Sequence, residues 1–289
     1  HGANLSDREN TVMIGKNNTF YHLNELKKMW ATVRDVPAPQ HLASTITDHF
    51  LELLKGKHYL AYSAPKSKES ANIRNFLGIK EGQKVLTATM SSYDEMFASQ
   101  YVGARGVLKN LLFTSQIDWI AALIEYVKSR PDLFLVIRVH PREFPNKREG
   151  VKSEHAATLE NHFKNLPDNI GINWPTDRIS LYDMAQETDV FLNSWSSVGA
   201  EMSLLGIPVV LYSKELAPYP PDLNYVAKDQ ADYFNQIDLS RCINNNIFQI
   251  IYDKIPTKKE DFIMKCFRCA KYDQMDQILH NINEDERTD

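Results

Sequence analysis

The run from Leu133 to Val139, with the sequence LFLVIRV, restricts the fold more than any other segment of the chain. Six of its seven residues are apolar, and Arg138 is the exception. Strands that are buried on both faces show continuous runs of this kind, whereas half-exposed strands alternate between polar and apolar residues. Such strands occur in parallel sheets that helices cover on both faces. The run therefore predicts a central strand of an α/β protein.

Shorter strand and helix patterns alternate around this run. Strands are predicted at Lys84 to Met90, Ile170 to Trp174, Val190 to Asn193 and Pro208 to Tyr212, and helices at Ser115 to Arg130, Glu154 to Asn165, Ser180 to Glu187 and Ser197 to Leu205. Ser115 is suited to cap the first of these helices, and Pro131 is suited to end it. This alternation favours a parallel sheet with right-handed crossovers, so we expect a Rossmann-type α/β domain.

We divide the chain of 289 residues into three segments. Residues 79–255 carry the alternation of strands and helices. Residues 1–78 contain one clear helical pattern, from Leu42 to Leu54, and residues 256–289 are expected to form a long helix with a polar tail. The first residue is His1 rather than Met, so we expect a processed, trimmed or partial product.

The composition argues against several classes of protein. The net charge of -4 is unfavourable for a protein that coats nucleic acid. No apolar run reaches the ~18 residues that a membrane span needs, and the first ten residues lack the apolar core of a secretory signal. Three cysteines provide no disulfide framework, which indicates a reducing compartment. We therefore expect a cytoplasmic location.

Ligands of open parallel sheets bind beyond the carboxyl ends of the strands, and this rule points first to the residues after the buried strand. His140 follows this strand and is held by Pro141, so its imidazole can present an N–H group to an anion. Arg142 adds a permanent cation whose fork geometry suits phosphate. The alternative is a histidine satisfied by local bonds and an ordinary surface arginine.

A second candidate loop, residues 194–197, leads from a predicted strand into a helix. Free backbone N–H groups at a helix start attract anions, and the hydroxyl groups of Ser194, Ser196 and Ser197 enrich this loop in donors. Glu201, about one turn into the helix, can accept hydrogen bonds from ribose hydroxyls. The alternative is an ordinary helix cap. We expect this loop and the His140 loop to be neighbours that enclose one phosphate pocket.

Asp94, in the loop after the first predicted strand, is the carboxylate best placed to face the cleft. A catalytic base, a ligand of the donor hydroxyls and a plain surface residue are all open readings of this position. The chain has no Walker loop, no GxGxxG motif and no acidic pair of the DxD type in a suitable setting. We therefore expect no bound cofactor and no metal ion.

Three segments resemble the donor-binding half of GT-B glycosyltransferases, namely the HPRE sequence at His140 to Glu143, the stretch from Asp177 to Val210, and the pair Asp94-Glu95. The nearest group comprises the bacterial capsule and surface-polysaccharide synthesis proteins. This group includes Kdo transferases, polysialyltransferases and polyol-phosphate transferases, and its products include lipopolysaccharide. The resemblance covers about Val85 to Tyr212.

The resemblance assigns donor-binding roles to residues of two loops. In that group, a His-Pro motif and a Ser-Ser motif bind the phosphate and nucleotide of a CMP-, CDP- or UDP-linked donor. His140-Pro141 matches the first motif, and Ser196-Ser197 matches the second. Glu201 matches the glutamate of the helix that follows.

The resemblance also implies a reaction, a metal-independent transfer of a sugar to a glycan acceptor. Asp94 is a candidate base, and His1-Gly2 matches a His-Gly pair of the polyol-phosphate branch. A GT-B enzyme has two Rossmann-like domains, of which only the second is convincing here. A CDP-linked polyol-phosphate transferase and a non-catalytic donor-binding module therefore stay open as alternatives. Peripheral contact with the inner face of the membrane is a further expectation.

Overall fold

The computed structural model describes residues 23–37, 40–54, 73–103, 111–146 and 150–241. The strands in these ranges are β1 (Lys84–Thr89), β2 (Leu133–Arg138), β3 (Ile170–Asn173), β4 (Val190–Asn193), β5 (Val209–Leu211) and β6 (Tyr225–Val226). All six strands are parallel and form one sheet in the order β3-β2-β1-β4-β5-β6. The predicted Rossmann-type α/β fold is therefore confirmed.

Helices connect and cover the strands. They are α1 (Leu23–Val33), α2 (Gln40–Leu54), α3 (Ile73–Leu77), α4 (Tyr93–Tyr101), α5 (Gln116–Lys128), α6 (Glu154–His162), α7 (Leu181–Gln186), α8 (Val198–Leu204) and α9 (Gln230–Arg241). Each predicted strand and helix between Lys84 and Tyr212 is present, with ends that differ by at most three residues. Ser115 caps α5 as predicted, because its hydroxyl accepts a hydrogen bond from the Asp118 N–H at 3.1 Å.

The buried run forms strand β2, which lies between β1 and β3 in the sheet. All six residues of β2 are buried, including the one charged residue, Arg138. Its guanidinium donates to the Asn173 side chain and to the Ile179 carbonyl, the latter at 3.1 Å. Burial lowers the pKa of Arg138 to about 10, and the charge of Asp177 opposes this effect. Arg138 therefore ties the ends of β2 and β3 together.

The strand order reverses between β1 and β4. The chain first builds outward from β1 through β2 to β3 and then returns to place β4 on the other side of β1. In this pair, Thr89 at the end of β1 lies opposite Asn193 at the end of β4. The connections after such neighbouring strands diverge, which leaves a crevice at their carboxyl ends. Sheet topology thus nominates the ends of β1 and β4 as the binding edge.

The largest buried cluster packs α5 and α9 against the sheet. Trp119 of α5 and Tyr233 of α9 are both fully buried, and the indole N–H donates to the Tyr233 hydroxyl at 2.9 Å. A second cluster includes Phe50 and Leu53 of α2, which pack with residues of α7 and α8 such as Leu181. The predicted helix from Leu42 to Leu54 is thereby confirmed, and α2 begins two residues earlier.

The division of the chain at residues 78 and 255 stays a prediction. The expected long helix of residues 256–289 and the first 22 residues lie outside the described ranges. Among the helices that the structure describes, none combines the length and the apolar character that a membrane span requires.

Tyr233→Phe tests the buried bond between α5 and α9. The variant leaves the Trp119 indole N–H buried without an acceptor, so we expect a loss of ~1–3 kcal/mol in the free energy of unfolding. Urea denaturation followed by tryptophan fluorescence measures this loss. Tyr225→Phe is the control, because Tyr225 is half-buried and its change should stay within ~0.5 kcal/mol. Equal losses in the two variants would contradict the assignment.

Candidate functional site

Three loops lie side by side along the carboxyl edge of the sheet. We call residues 90–93 after β1 the central corner, residues 139–143 after β2 the histidine corner, and residues 194–197 after β4 the serine corner. The central corner lies between the other two, since β1 separates β2 from β4. Two strand spacings correspond to roughly 10 Å. The expectation that the His140 and Ser196 loops are direct neighbours is therefore wrong, although both belong to the same edge.

A chain of hydrogen bonds joins the central corner to the serine corner. The Trp195 N–H donates to Ser91 Oγ at 3.2 Å, and the hydroxyls of Ser91 and Ser194 are 2.6 Å apart. Ser194 Oγ in turn lies 2.9 Å from the Thr89 carbonyl, which can only accept. Because the Ser194 proton is used there, Ser91 donates to Ser194. Ser194, the first residue of the serine corner, is fully buried, and its hydroxyl attaches this corner to β1.

Gln116, the first residue of α5, fixes the central corner from the other side. Its side-chain oxygen accepts from the Ser91 N–H at 2.8 Å, and its side-chain nitrogen donates to the Ser91 carbonyl at 2.9 Å. One amide therefore satisfies both backbone groups of a residue that has left the sheet. The central corner is thus held by α5 and by the serine corner together.

The serine corner presents backbone donors. Within the described ranges, the N–H groups of Ser196 and Ser197 and the Ser197 hydroxyl have no hydrogen-bond partner. The Ser196 hydroxyl accepts from the Val198 N–H at 3.3 Å, so it also serves as a local cap. Ser197 is exposed and Ser196 is half-buried. The two residues thus combine two N–H donors with two hydroxyls at the mouth of the crevice.

A buried polar network shapes the serine corner. Asn193 donates to the Ser196 carbonyl at 2.8 Å and to the Tyr219 hydroxyl at 3.0 Å. The Tyr219 hydroxyl donates to the Asn224 side chain at 2.6 Å. Gly199 packs directly against this network, because a Cβ there would overlap the Tyr219 oxygen and lie 2.5 Å from Asn193 Nδ2. These contacts are not predicted from the sequence, in which a glycine inside a helical pattern is the one sign of close packing.

The histidine corner orients its imidazole through a turn. His140 precedes the short helical turn Pro141–Glu143, and its Nδ1 accepts from the Arg142 N–H at 3.3 Å. A neutral imidazole whose Nδ1 accepts a hydrogen bond carries its proton on Nε2. His140 and Arg142 are both half-buried. The corner therefore holds a histidine whose second nitrogen is a donor, beside a guanidinium.

Glu143, the last residue of that turn, points inward. Its carboxylate accepts from the Tyr93 N–H at the start of α4, at 3.4 Å, and from the hydroxyl of Ser153, which caps α6. Only 3% of its surface is exposed. A negative charge at these two helix starts is favourable. Glu143 therefore joins the histidine corner to the starts of α4 and α6.

Glu201 lies one turn into α8 and is bonded to α7. The Tyr182 hydroxyl donates to one oxygen of the Glu201 carboxylate at 2.7 Å. Burial raises the pKa of Glu201, and the hydrogen bond from Tyr182 opposes this effect. Burial and the neighbouring carboxylate raise the pKa of Tyr182 as well, so the tyrosine keeps its proton. The other oxygen of Glu201 has no partner among the described residues.

The two candidate catalytic residues are not tested by the structure. Asp94 belongs to the first turn of α4, directly after the central corner, and its side chain lies outside the described part. His1 lies outside the described residues as well. Within the ranges that are described, no three His, Cys, Asp or Glu side chains are grouped so that they could hold a metal ion. The roles of Asp94 and His1 stay predictions.

Comparison with known proteins reveals similarity in overall structure. Neither a protein-family model nor a curated protein matches the sequence. A UDP-GlcNAc 2-epimerase from Neisseria meningitidis, bound to UDP-GlcNAc, is 15% identical with a TM-score of 0.42, over 73% of this chain and 52% of its own. The wall teichoic acid polymerase TagF with CDPG is 13% identical with a TM-score of 0.37, over 83% and 49%.

MnaA of S. aureus with UDP is 11% identical with a TM-score of 0.37, over 73% of this chain and 60% of its own. At 11–15% identity, the likeness to these structures concerns the fold alone. This chain spans about half the length of the solved structures that it matches. At these scores the likeness carries no argument about activity, which has to rest on the residues of the chain itself.

Gly199→Ala tests the close packing beneath the serine corner. The added methyl group collides with Tyr219 and Asn193, so we expect a loss of ~1–3 kcal/mol in the free energy of unfolding. Urea denaturation measures it. Gly150→Ala is the matched control, because a Cβ at Gly150 meets no atom within 4 Å. With Tyr219→Phe added, the total loss should be smaller than the sum of the losses of the two single variants, because phenylalanine lacks the oxygen that the new methyl group meets. Equal stability of the two alanine variants would refute the packing argument.

Glu201→Gln tests the burial of the Glu201 carboxyl through pH. Its raised pKa means that the folded protein keeps the proton to higher pH than the unfolded chain does. The resulting stabilisation is complete below the ordinary glutamate pKa of 4.5 and is lost as the pH rises through the raised value. Unfolding free energies should therefore show the wild type losing stability relative to Glu201→Gln as the pH rises above 4.5. Glu81→Gln, at an exposed turn, is the control, and a difference independent of pH would contradict the assignment.

Proposed function

We propose that the chain is the donor-binding part of a metal-independent glycosyltransferase of GT-B type. It would transfer a sugar from a CMP-, UDP- or CDP-linked donor to a saccharide or lipid-linked acceptor of a growing surface glycan. The observation that carries the proposal is the serine corner, which offers the N–H groups of Ser196 and Ser197 beside the β1–β4 switch point. Switch points of this kind are where parallel α/β sheets bind nucleotides.

The leaving phosphate would bind between the two outer corners. In the transfer, the bond between the sugar carbon and the phosphate oxygen breaks, and the electron pair leaves with the nucleotide. The negative charge that develops on the phosphate is stabilised by donors already in place, which lowers the barrier. Ser196 and Ser197 supply backbone N–H groups and hydroxyls from one side. His140 supplies its Nε2–H and Arg142 its guanidinium from the other.

The ribose of the donor would lie against α8. Glu201 keeps one carboxylate oxygen for Tyr182 and has the other available for a ribose hydroxyl. Tyr182 acts here as a positioning residue, because its hydroxyl fixes the direction of the carboxylate. Trp195 of the serine corner is half-buried, and its ring contacts that of Tyr212 at 6.1 Å between centroids.

The acceptor hydroxyl attacks the sugar carbon and gives its proton to a base. Asp94, at the start of α4, is the base we propose within this chain, and His1 is the candidate from the segment before it. General-base catalysis of this kind typically contributes ~10²–10⁴-fold to the rate.

A cytoplasmic location, with peripheral contact at the inner face of the membrane, belongs to the same proposal.

A thermal-shift screen with CMP, CDP, UDP and GDP tests the proposal. A nucleotide at ~100 times its dissociation constant should stabilise the protein by ~2.7 kcal/mol. We expect one pyrimidine nucleotide to raise the melting temperature and His140→Ala to abolish the shift. His162→Ala is the control, because His162 lies at the exposed end of α6 and should leave the shift unchanged.

The outcomes of this screen separate the candidate functions. Absence of a shift with every nucleotide would refute the proposal. A shift followed by transfer of a sugar supports it, and His140→Ala should then lower turnover by at least ~10²-fold. A phosphodiester product would instead identify a CDP-linked polyol-phosphate transferase. Binding without any hydrolysis or transfer would identify a non-catalytic donor-binding module.

A further inference from the structure

A cavity of about 570 Å³ borders the central corner at Tyr93 and the histidine corner at Glu143. Its walls come from the start of α4, the start of α5 and the first turns of α6. Glu143, the last residue of the histidine corner, also lines the cavity. The cavity is therefore part of the carboxyl edge of the sheet, and the described residues that line it include none of the serine corner.

One wall of the cavity is aromatic and exposed. Tyr93 and Phe97 are one helical turn apart on α4, and 51% and 58% of their surfaces are exposed. Ile117 of α5 extends this apolar wall. The aromatic surface continues to Tyr101, whose ring stacks on Phe97 at 6.1 Å between centroids. Large aromatic rings left exposed beside a cavity indicate a surface that binds a ligand.

The first turns of α6 offer hydrogen-bonding groups to the same cavity. The imidazole of His155 stacks on Tyr93 at 5.2 Å, and its Nε2 is buried without a hydrogen-bond partner among the described residues. Burial lowers the pKa of His155, so the ring is neutral near neutral pH and can both donate and accept. Glu154 and Thr158 add an exposed carboxylate and a hydroxyl.

The charge of the lining distinguishes this cavity from the donor-binding corners. Among the described residues that line it, none is Lys or Arg, and two, Glu143 and Glu154, are acidic. A phosphate or another anion is therefore disfavoured here, whereas the serine and histidine corners collect N–H donors and a guanidinium. Hydroxyl groups, in contrast, donate well to carboxylates and to a neutral imidazole.

We propose that this cavity binds a neutral saccharide, with the C–H face of a sugar ring on Tyr93 and Phe97 and its hydroxyls on Glu154 and His155. A sugar ring has an apolar face and a rim of hydroxyl groups. The apolar face can pack on the aromatic rings while the hydroxyl groups bond to the polar side chains beside them. That the saccharide is the acceptor rests on the function proposed above. Binding of a neutral saccharide as such does not depend on it.

Saturation-transfer NMR on the whole chain, with lactose, maltose and N,N′-diacetylchitobiose as probes, tests the inference. We expect transfer to the ring protons of at least one of them at millimolar concentration. Phe97→Ala should weaken this binding about tenfold, which corresponds to about 1.4 kcal/mol. Phe76→Ala is the matched control, because Phe76 on α3 is exposed to the same 58% and does not line the cavity. Glu154→Gln should also weaken binding.

Three results would overturn the inference. They are the absence of saturation transfer from all three disaccharides, equal affinity of Phe97→Ala and the wild type, and loss of nucleotide binding rather than sugar binding in Phe97→Ala. The thermal-shift screen with nucleotides is independent of these measurements. A protein that binds a disaccharide but no nucleotide would refute the donor site alone, and the reverse result would refute the saccharide site alone.

Discussion

The chain of hydrogen bonds from the Trp195 N–H through Ser91 and Ser194 to the Thr89 carbonyl holds the carboxyl edge together. At the switch point the two connections diverge, and their backbone groups would be buried without partners if nothing joined them. A buried polar group without a hydrogen bond costs ~1–3 kcal/mol. Two serine hydroxyls remove that cost and also fix how far the serine corner stands from β1. The hydrogen bonds through Ser91 and Ser194 therefore also position the N–H donors of Ser196 and Ser197.

The direction of the Glu143 carboxylate divides the edge into two electrostatic regions. Because Glu143 accepts from the start of α4 and from the Ser153 cap of α6, negative charge is built into the centre of the edge. The donors for an anion lie instead in the serine corner and in His140 and Arg142 of the histidine corner. Glu143 and Glu154 both line the cavity, and their negative charge disfavours anions in that part of the edge. Such a division fits the proposed transfer from a charged donor to a neutral acceptor.

Five of the six strands were predictable from sequence, because buried parallel strands carry long apolar runs and their helices carry caps. The sixth, β6, has two half-buried residues and was not predicted. Helix α4 is not predicted from sequence, and its residue Asp94 is assigned to a polar loop, since Tyr93, Phe97 and Tyr101 are exposed and the apolar residues of α4 do not form a stripe that faces the core. Helix α1 was missed as well. The network of Asn193, Tyr219 and Asn224 joins residues up to 26 positions apart, and no local pattern predicts it.

The HPRE motif illustrates the limit of reading a site from sequence. The rule that ligands bind beyond the carboxyl ends of strands located His140 and Arg142 correctly at the edge, because that rule depends only on strand order. It treats all four residues of the motif alike, whereas the turn Pro141–Glu143 sends Glu143 inward. The carboxylate of Glu143 accepts there from the Ser153 hydroxyl and from the Tyr93 N–H, which is 50 positions away in the sequence. A motif can therefore combine residues that face a ligand with a residue that fixes the fold beneath it, and only the tertiary contacts tell them apart.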